Sequence, residues 1–69
     1  MKEIKLREDY IKLGQALKAA GLVSSGIEAK IVITEGEVLV NGEQELRRGR
    51  KLYDGDTVLF QGEEIKVIK

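Results

Sequence analysis

Alternating polar and apolar residues near both ends of the chain predict strands, and a helical repeat between them predicts helices. Ile4 and Leu6 alternate with charged residues over residues 2–6, which indicates a short edge strand. After residue 37 the period is two again, so Val38 and Val40 share one side of a second predicted strand. The remaining predicted strands cover residues 43–46, 57–60 and 65–68.

The first helix is predicted to begin after Asp9, which occupies the position of an N-cap residue. Gly21 has the position of a helix-ending glycine, and Gly14 inside the helix is expected to allow a close helix crossing. The apolar side of this helix is expected to face the core, and it consists of Tyr10, Leu13, Leu17 and Ala20.

The second helix is less clearly marked by the apolar pattern. The β-branched run over residues 31–34 has the propensity of a strand, and periodicity alone leaves both interpretations open. Ser25 and Glu28 have the spacing of a capping box, in which each residue satisfies a backbone amide of the other. Together with Gly36 as the terminating residue, this spacing favours a helix.

Three short turns divide the second half of the chain. Asn41-Gly42 predicts a type I′ hairpin turn, and further turns are expected at 54–56 and 61–63. The segment between residues 46 and 54 is expected to be a loop or an irregular strand. The predicted order is therefore β-α-α-β-β-β-β. It describes an α+β domain with two helices packed on a small, mainly antiparallel sheet of about four to five strands, formed by residues 1–69 as a single domain.

The composition narrows the range of functions. The 69 residues include no cysteine and no histidine, so the commonest general base and the ligands of zinc and iron–sulfur sites are absent. No nucleotide-binding loop is present, and Asp54 and Asp56 flank a glycine as turn residues rather than as metal ligands. We expect a monomeric, non-catalytic protein that uses no cofactor, metal or small-molecule substrate. Without cysteines, signal-peptide features or a long apolar run, we expect it in the cytoplasm and not at a membrane.

Charge is unevenly distributed along this chain. Lys plus Arg and Asp plus Glu each number 12, which argues against binding of nucleic acid through bulk charge. Yet Arg47, Arg48, Arg50 and Lys51 fall within five positions. A solvated loop would explain such a cluster, but its density favours contact with an anionic partner. If the segment is a regular strand, adjacent side chains point in opposite directions, and at least one of Arg47 and Arg48 is then expected to pair with an acidic neighbour such as Asp54 or Asp56.

A spaced set of small, apolar and turn residues runs through the segment from Leu22 to Asp56. Its members are Ser25, Ala29, Val32-Ile33, Gly36, Val38, Val40-Asn41-Gly42 and Gly55-Asp56. With these residues the segment resembles the S4 RNA-binding domain family, and in particular its small stand-alone bacterial members. The chain departs from the family pattern at Gly26, where many members have Arg, and at residues 10–12, where many have Arg-Leu-Asp.

This resemblance implies an S4-like (αL-type) fold whose two helices and following hairpin form one RNA-binding face. It also implies binding of structured RNA, ribosomal RNA above all, in assembly or maturation of the large ribosomal subunit. The candidate RNA-binding residues are Arg47, Arg48, Arg50, Lys51, Lys30, Lys18, Lys12 and Ser25. The alternative is a protein-interaction domain that docks on a ribosomal protein or assembly factor through acidic residues close to the arginines. These acidic residues are Glu35, Glu37, Glu43 and Glu45.

Overall fold

The computed structural model describes residues 2–69, which form an α+β fold of two helices and seven strands around one hydrophobic core. In chain order the elements are β1 (Lys2–Lys5), β2 (Ile11–Lys12), α1 (Leu13–Ala19), α2 (Gly26–Thr34), β3 (Val38–Val40), β4 (Glu43–Gln44), β5 (Lys51–Leu52), β6 (Thr57–Phe60) and β7 (Glu63–Ile68). The predicted fold class is confirmed. Strands β2 and β5 were not expected as an ordered pair.

The main sheet has five strands in the order β1-β7-β6-β3-β4. Strand β1 lies at the edge and runs parallel to β7, whereas the other neighbours are antiparallel. Alternation sets the two faces: Ile65 and Val67 are buried, and Lys66 between them is exposed on the outer face. The expected edge strand and mainly antiparallel sheet are therefore confirmed.

The two helices contribute their apolar sides to the same core as the inner face of the sheet. Leu13 and Leu17 of α1 and Ala29 and Ile33 of α2 have no exposed surface. Because the core is aliphatic and contains Phe60 as its one aromatic residue, it depends on close packing of Leu, Ile and Val side chains. Neither helix in residues 2–69 is long and apolar enough to cross a bilayer.

Helix α1 begins at Leu13, so the prediction of a start after Asp9 is wrong. Residues Ile11–Lys12 instead pair with Lys51–Leu52 in a two-stranded antiparallel ladder. Asp9 caps no helix; its carboxylate accepts a hydrogen bond from the Lys69 ammonium at 2.8 Å. Tyr10 precedes the helix and is 37% exposed, so it is not a core residue.

Helix α2 forms as its caps predicted, despite its β-branched run. The Ser25 hydroxyl accepts a hydrogen bond from the Glu28 amide at 3.1 Å, as expected of an N-cap. The Glu28 carboxylate accepts from the amide and hydroxyl of Ser24, one residue earlier than a standard capping box. The amides of Ser24 and Glu28 are both satisfied in this way, and these local bonds outweigh the strand propensity of residues 31–34.

The hairpin turn at Asn41-Gly42 has the predicted type I′ geometry, with φ of 52° and 84°. The Asn41 side chain also forms hydrogen bonds outside the hairpin. Its carbonyl oxygen accepts a hydrogen bond from the Thr57 amide at 2.9 Å, and its NH2 group donates one to the Asp56 carboxylate at 3.0 Å. Asp56 in turn accepts from the Tyr53 amide at 2.8 Å. The two turns at 41–42 and 54–56 are therefore joined in one hydrogen-bond network that fixes the end of β3 against the start of β6.

Candidate nucleic-acid interface

The five residues Arg47–Lys51, called here the basic loop, are anchored by a buried carboxylate. Glu45 has a side chain that is 9% exposed, and it accepts from Arg47 Nε at 3.0 Å and from Arg50 Nη1 at 2.8 Å. The amide of Arg47 also donates to this carboxylate at 3.1 Å. Strand β4 ends at Gln44, two residues before the predicted end, and Glu45 turns into this cluster.

The two arginines determine the electrostatics of Glu45. Hydrogen bonds from Arg47, then from Arg50, lower the pKa of the Glu45 carboxyl from its ordinary value of 4.5 to about 2. The same pairing raises the pKa of Arg47 above its usual value. Glu45 is thus fully ionised at neutral pH, and the loop around it keeps a net positive charge.

Backbone hydrogen bonds hold the basic loop against the start of α1. The carbonyl oxygens of Arg50 and Arg48 accept from the amides of Leu13 and Gly14 at 2.8 and 3.1 Å. Two of the amides that a helix leaves unpaired at its N-terminus are therefore satisfied by the loop, and no side chain caps this helix. This arrangement fixes the loop and the first turn of α1 relative to each other.

Gly14 allows the basic loop to pack against α1. From the sequence, this glycine is expected to allow a close crossing of helices, but the group that approaches it most closely is the Arg48 side chain. A Cβ atom at Gly14 would lie 2.8 Å from Cγ of Arg48, which is closer than side-chain atoms can pack. The Arg48 side chain therefore crosses the surface of α1 at its one residue without a side chain.

Arg48 and two lysines of the α1 region line a common concave surface. The residues around this depression are Lys12, Gly14, Gln15, Lys18, Gly26, Arg48 and Gly49. None of its three cations makes an ion pair with any acidic group in residues 2–69. Gly26, at the start of α2, lies at the same depression as Arg48, so the basic loop places a guanidinium beside the N-terminus of α2.

A second depression adjoins the first, because Gly49 lines both. Its other lining residues are Arg47, Arg50 and Lys51. Arg47 remains 74% exposed although it pairs with Glu45, whereas Arg50 is 34% exposed. We call the two depressions together the basic surface; its cations are Lys12, Lys18, Arg47, Arg48, Arg50 and Lys51.

The structure does not bring Lys30 and Ser25 into either depression. Lys30 is exposed on α2, one helical turn from Gly26 and on the same side of the helix. Ser25 is engaged as the helix cap, and the carboxylate of Glu28 lies at the same helix end. A negative group there opposes the approach of phosphate, so Ser25 is less suited to an RNA contact than the basic surface.

The prediction that Asp54 or Asp56 pairs with one of the arginines is wrong. Asp56 accepts from Asn41 and Tyr53, and Asp54 accepts from the Lys69 amide at 3.0 Å. The partner is Glu45, which the sequence interpretation placed on a possible protein-docking surface. The only feature of the sequence that could have indicated this pairing is the short separation of Glu45 from the arginines, two residues from Arg47 and five from Arg50. That spacing does not indicate that the Glu45 side chain is buried. Across residues 2–69, no group of three or more metal-ligating His, Cys, Asp or Glu side chains occurs.

The chain is similar to known proteins over nearly its whole length. The S4 domain family matches residues 4–68 of the chain. A Bacillus subtilis (strain 168) protein named "Probable ribosome maturation protein RlbA" is 51% identical over 59 residues, which cover 86% of this chain and 83% of that protein. An Escherichia coli (strain K12) protein named "Putative RNA-binding protein YbcJ" is 39% identical over 62 residues, or 90% of this chain and 89% of that protein.

A solved structure has the same fold. The solution structure of YbcJ from E. coli, described as revealing an ALFAL motif involved in RNA-binding, aligns with a TM-score of 0.77 and 37% sequence identity. The alignment covers 100% of this chain and 89% of the YbcJ chain. The arrangement of two helices on a mixed sheet is therefore shared over the whole described chain.

Proposed function

Because the chain belongs to the S4 domain family, we propose that it is a non-catalytic protein that binds structured RNA through the basic surface, with residues 1–69 acting as a single, monomeric domain. One observation carries the proposal: Lys12, Lys18 and Arg48 converge on one concave surface, and within residues 2–69 none of them forms an ion pair with an acidic side chain. A cluster of cations without ion-pair partners, in a chain whose net charge is zero, attracts a polyanion to one place.

The mechanism is recognition of the RNA backbone by preorganised cations. Arg48 presents a planar guanidinium that can bind a phosphate through two hydrogen bonds. Lys12, at the end of β2, and Lys18 of α1 act as point charges beside it. Since Glu45 and the α1 amides fix the basic loop before RNA arrives, little conformational entropy is lost on binding. Such contacts recognise the shape of folded RNA rather than its base sequence.

The RNA that we propose is ribosomal, bound during maturation of the large subunit. The support is the name of the B. subtilis relative, "Probable ribosome maturation protein RlbA", together with its 51% identity to this chain. Neither histidine nor cysteine is available for catalysis, which agrees with a binding protein and not an enzyme.

A salt titration tests the proposal. Four or five neutralised phosphates give a slope of about −3 to −4 in a plot of log K against log salt concentration. We expect this slope for fragments of large-subunit ribosomal RNA measured by fluorescence anisotropy. A flat salt dependence, or the absence of binding at low salt, would contradict it.

Paired variants place the binding site. Lys18→Ala with Arg48→Ala removes two unpaired cations from the basic surface, and Lys2→Ala with Lys66→Ala removes two exposed lysines from strands β1 and β7. We expect the first pair to weaken RNA binding by roughly a hundredfold, at about tenfold for each phosphate contact, and the second pair to have a far smaller effect. Equal losses in the two pairs would show attraction by overall charge alone.

The alternative is a protein-docking surface, and one of the four acidic residues proposed for it, Glu45, is not accessible at the surface. Glu45 is buried against Arg47 and Arg50 and cannot meet a partner. If the Lys18/Arg48 variant still associated with ribosomal particles stripped of exposed RNA, a protein partner would replace RNA as the proposed target.

A further inference from the structure

Two of the three aromatic residues of the chain lie at the surface instead of in the core. Tyr10 is 37% exposed and Tyr53 is 49% exposed, whereas Phe60 is buried. The two tyrosine rings contact each other, with centroids 6.0 Å apart and planes inclined by 51°. Exposure of large aromatic rings is costly in water, so an adjacent pair at the surface marks a candidate contact site.

The backbone holds this pair in place. Tyr10 directly precedes β2 and Tyr53 directly follows β5, and these strands pair through Ile11 and Leu52. The Tyr53 amide donates to the Asp56 carboxylate at 2.8 Å. The tyrosines therefore flank one end of a short ladder whose other side carries the basic loop, and they are positioned before any ligand binds.

Lys51 links the aromatic pair to the basic surface. Its ammonium lies 4.8 Å from the centroid of the Tyr10 ring, within the range of a cation–π contact. The same residue lines the depression formed with Arg47, Gly49 and Arg50. A nucleotide whose phosphate occupies that depression would have its base within reach of the tyrosines.

We propose that Tyr10 and Tyr53 form a stacking platform for an unpaired base of the bound RNA, with Lys51 contacting the phosphate of that nucleotide. The proposal rests on the proposed RNA-binding function and adds a preference: RNA with an unpaired nucleotide in a loop or bulge binds more tightly than continuous duplex. Stacking suits this site because every base has an aromatic face, and because the tilted tyrosines do not fully cover each other's faces.

The test uses two RNAs that differ only in one bulged nucleotide, which is 2-aminopurine, beside the same helical stem. We expect wild-type protein to bind the bulged RNA about tenfold more tightly than the continuous duplex, and to quench the 2-aminopurine fluorescence through stacking. Tyr53→Leu should lose most of both effects while its salt slope stays unchanged, since no charge is removed. Tyr53→Phe keeps the ring and should behave as the wild type.

The outcomes separate this proposal from the proposed function. If wild-type protein binds both RNAs equally and leaves 2-aminopurine unquenched, while Lys18→Ala with Arg48→Ala still weakens binding as predicted above, the platform is wrong and the basic surface stands. If wild-type protein binds neither RNA at low salt, the proposed function fails together with the platform. Circular dichroism of each variant confirms that the compared proteins are folded.

Discussion

Arg48 and Arg47 are neighbours in the chain, but their guanidinium groups are in different situations. Arg47 donates two hydrogen bonds from its side chain to the buried Glu45, so part of its charge is compensated within the protein. Arg48 lies over Gly14 and makes no ion pair among residues 2–69. The sequence left open which of the two faces a ligand, and this geometry favours Arg48.

A pair of single variants tests this difference. We expect Arg48→Ala to weaken binding of a ribosomal RNA fragment by about tenfold and to make the salt slope less negative by about 0.7–0.9, the effect of one lost phosphate contact. Arg47→Ala should weaken binding of the same RNA fragment by only about threefold, because Glu45 already neutralises part of the Arg47 charge. Fluorescence anisotropy at several salt concentrations measures both quantities. A larger loss for Arg47→Ala would reverse the assignment.

Glu45 gives the domain a specific acid sensitivity. Its pKa is about 2 in the folded protein, against an ordinary 4.5, so the unfolded chain binds more protons between these values. The stabilisation is therefore complete above about pH 5 and is lost as the pH falls towards 2. We expect Glu45→Gln to lower the free energy of unfolding by on the order of 2 kcal/mol at pH 7.

Urea unfolding of both proteins across pH 7 to 2.5 measures this effect. The gap between wild type and Glu45→Gln should narrow as the pH falls below about 5, because protonated Glu and Gln are similar in shape and charge. Exposed carboxyls with lowered pKa values, such as Asp9 and Glu28, titrate alike in both proteins and leave the difference unchanged. A gap that stays constant with pH would contradict the assigned role of Glu45.

At the scale of elements, the basic loop and α1 depend on each other. The loop carbonyls cap the helix, and Gly14 of the helix accommodates the Arg48 side chain. Glycine within a helix costs up to about 1 kcal/mol relative to alanine, so the close approach is obtained at the expense of helix stability. The loop position is thus set by contacts on both sides, from Glu45 and from α1.

A double-mutant cycle measures this dependence. In the Arg48→Ala background, Gly14→Ala meets no Cγ atom and should stabilise the domain by up to about 1 kcal/mol through helix propensity. In the wild-type background the added methyl displaces Arg48, so the gain should be absent and RNA affinity should fall. Equal effects of Gly14→Ala on the unfolding free energy in both backgrounds would show that the residues are not coupled.

The hairpin turn and the turn at 54–56 form a second structural unit. Asn41→Gly keeps the positive φ of the turn but removes the hydrogen bonds to Thr57 and Asp56, so we expect a loss of about 1 kcal/mol. Asn41→Ala should lose roughly 1 kcal/mol more, because alanine disfavours that backbone conformation. Thermal unfolding distinguishes the two. RNA affinity of the folded variants should be unchanged, and a large loss would assign Asn41 to the interface.

At the scale of the whole molecule, features set by near neighbours could be predicted from the sequence. The Ser25 cap and the Asn41-Gly42 turn depend on residues within three positions, and both are confirmed. The start of α1 depends on carbonyl groups of Arg48 and Arg50 far along the chain, so the local pattern at Asp9 was misleading. Tyr10 was assigned to the core for the same reason.

The candidate site divides in the same way. The basic residues of Arg47–Lys51 can be recognised in the sequence by their density. The orientation of their side chains depends on the buried carboxylate of Glu45, and no pattern in the sequence predicts that this residue is buried. The approach of Lys12 and Lys18 to Arg48 is likewise a product of the tertiary fold. The sequence therefore indicates the charge, and the structure shows how charges from β2, α1 and the basic loop combine on one side of a molecule with no net charge.

Chemical-shift mapping tests the central claim most directly. Uniformly 15N-labelled protein is titrated with a large-subunit ribosomal RNA fragment, and amide shifts are followed for each residue. We expect the largest changes in the basic loop and around Lys12 and Lys18, with little change at Lys66 on the outer face of the sheet. Changes centred on the outer face, or the absence of changes at an RNA excess and low salt, would contradict it.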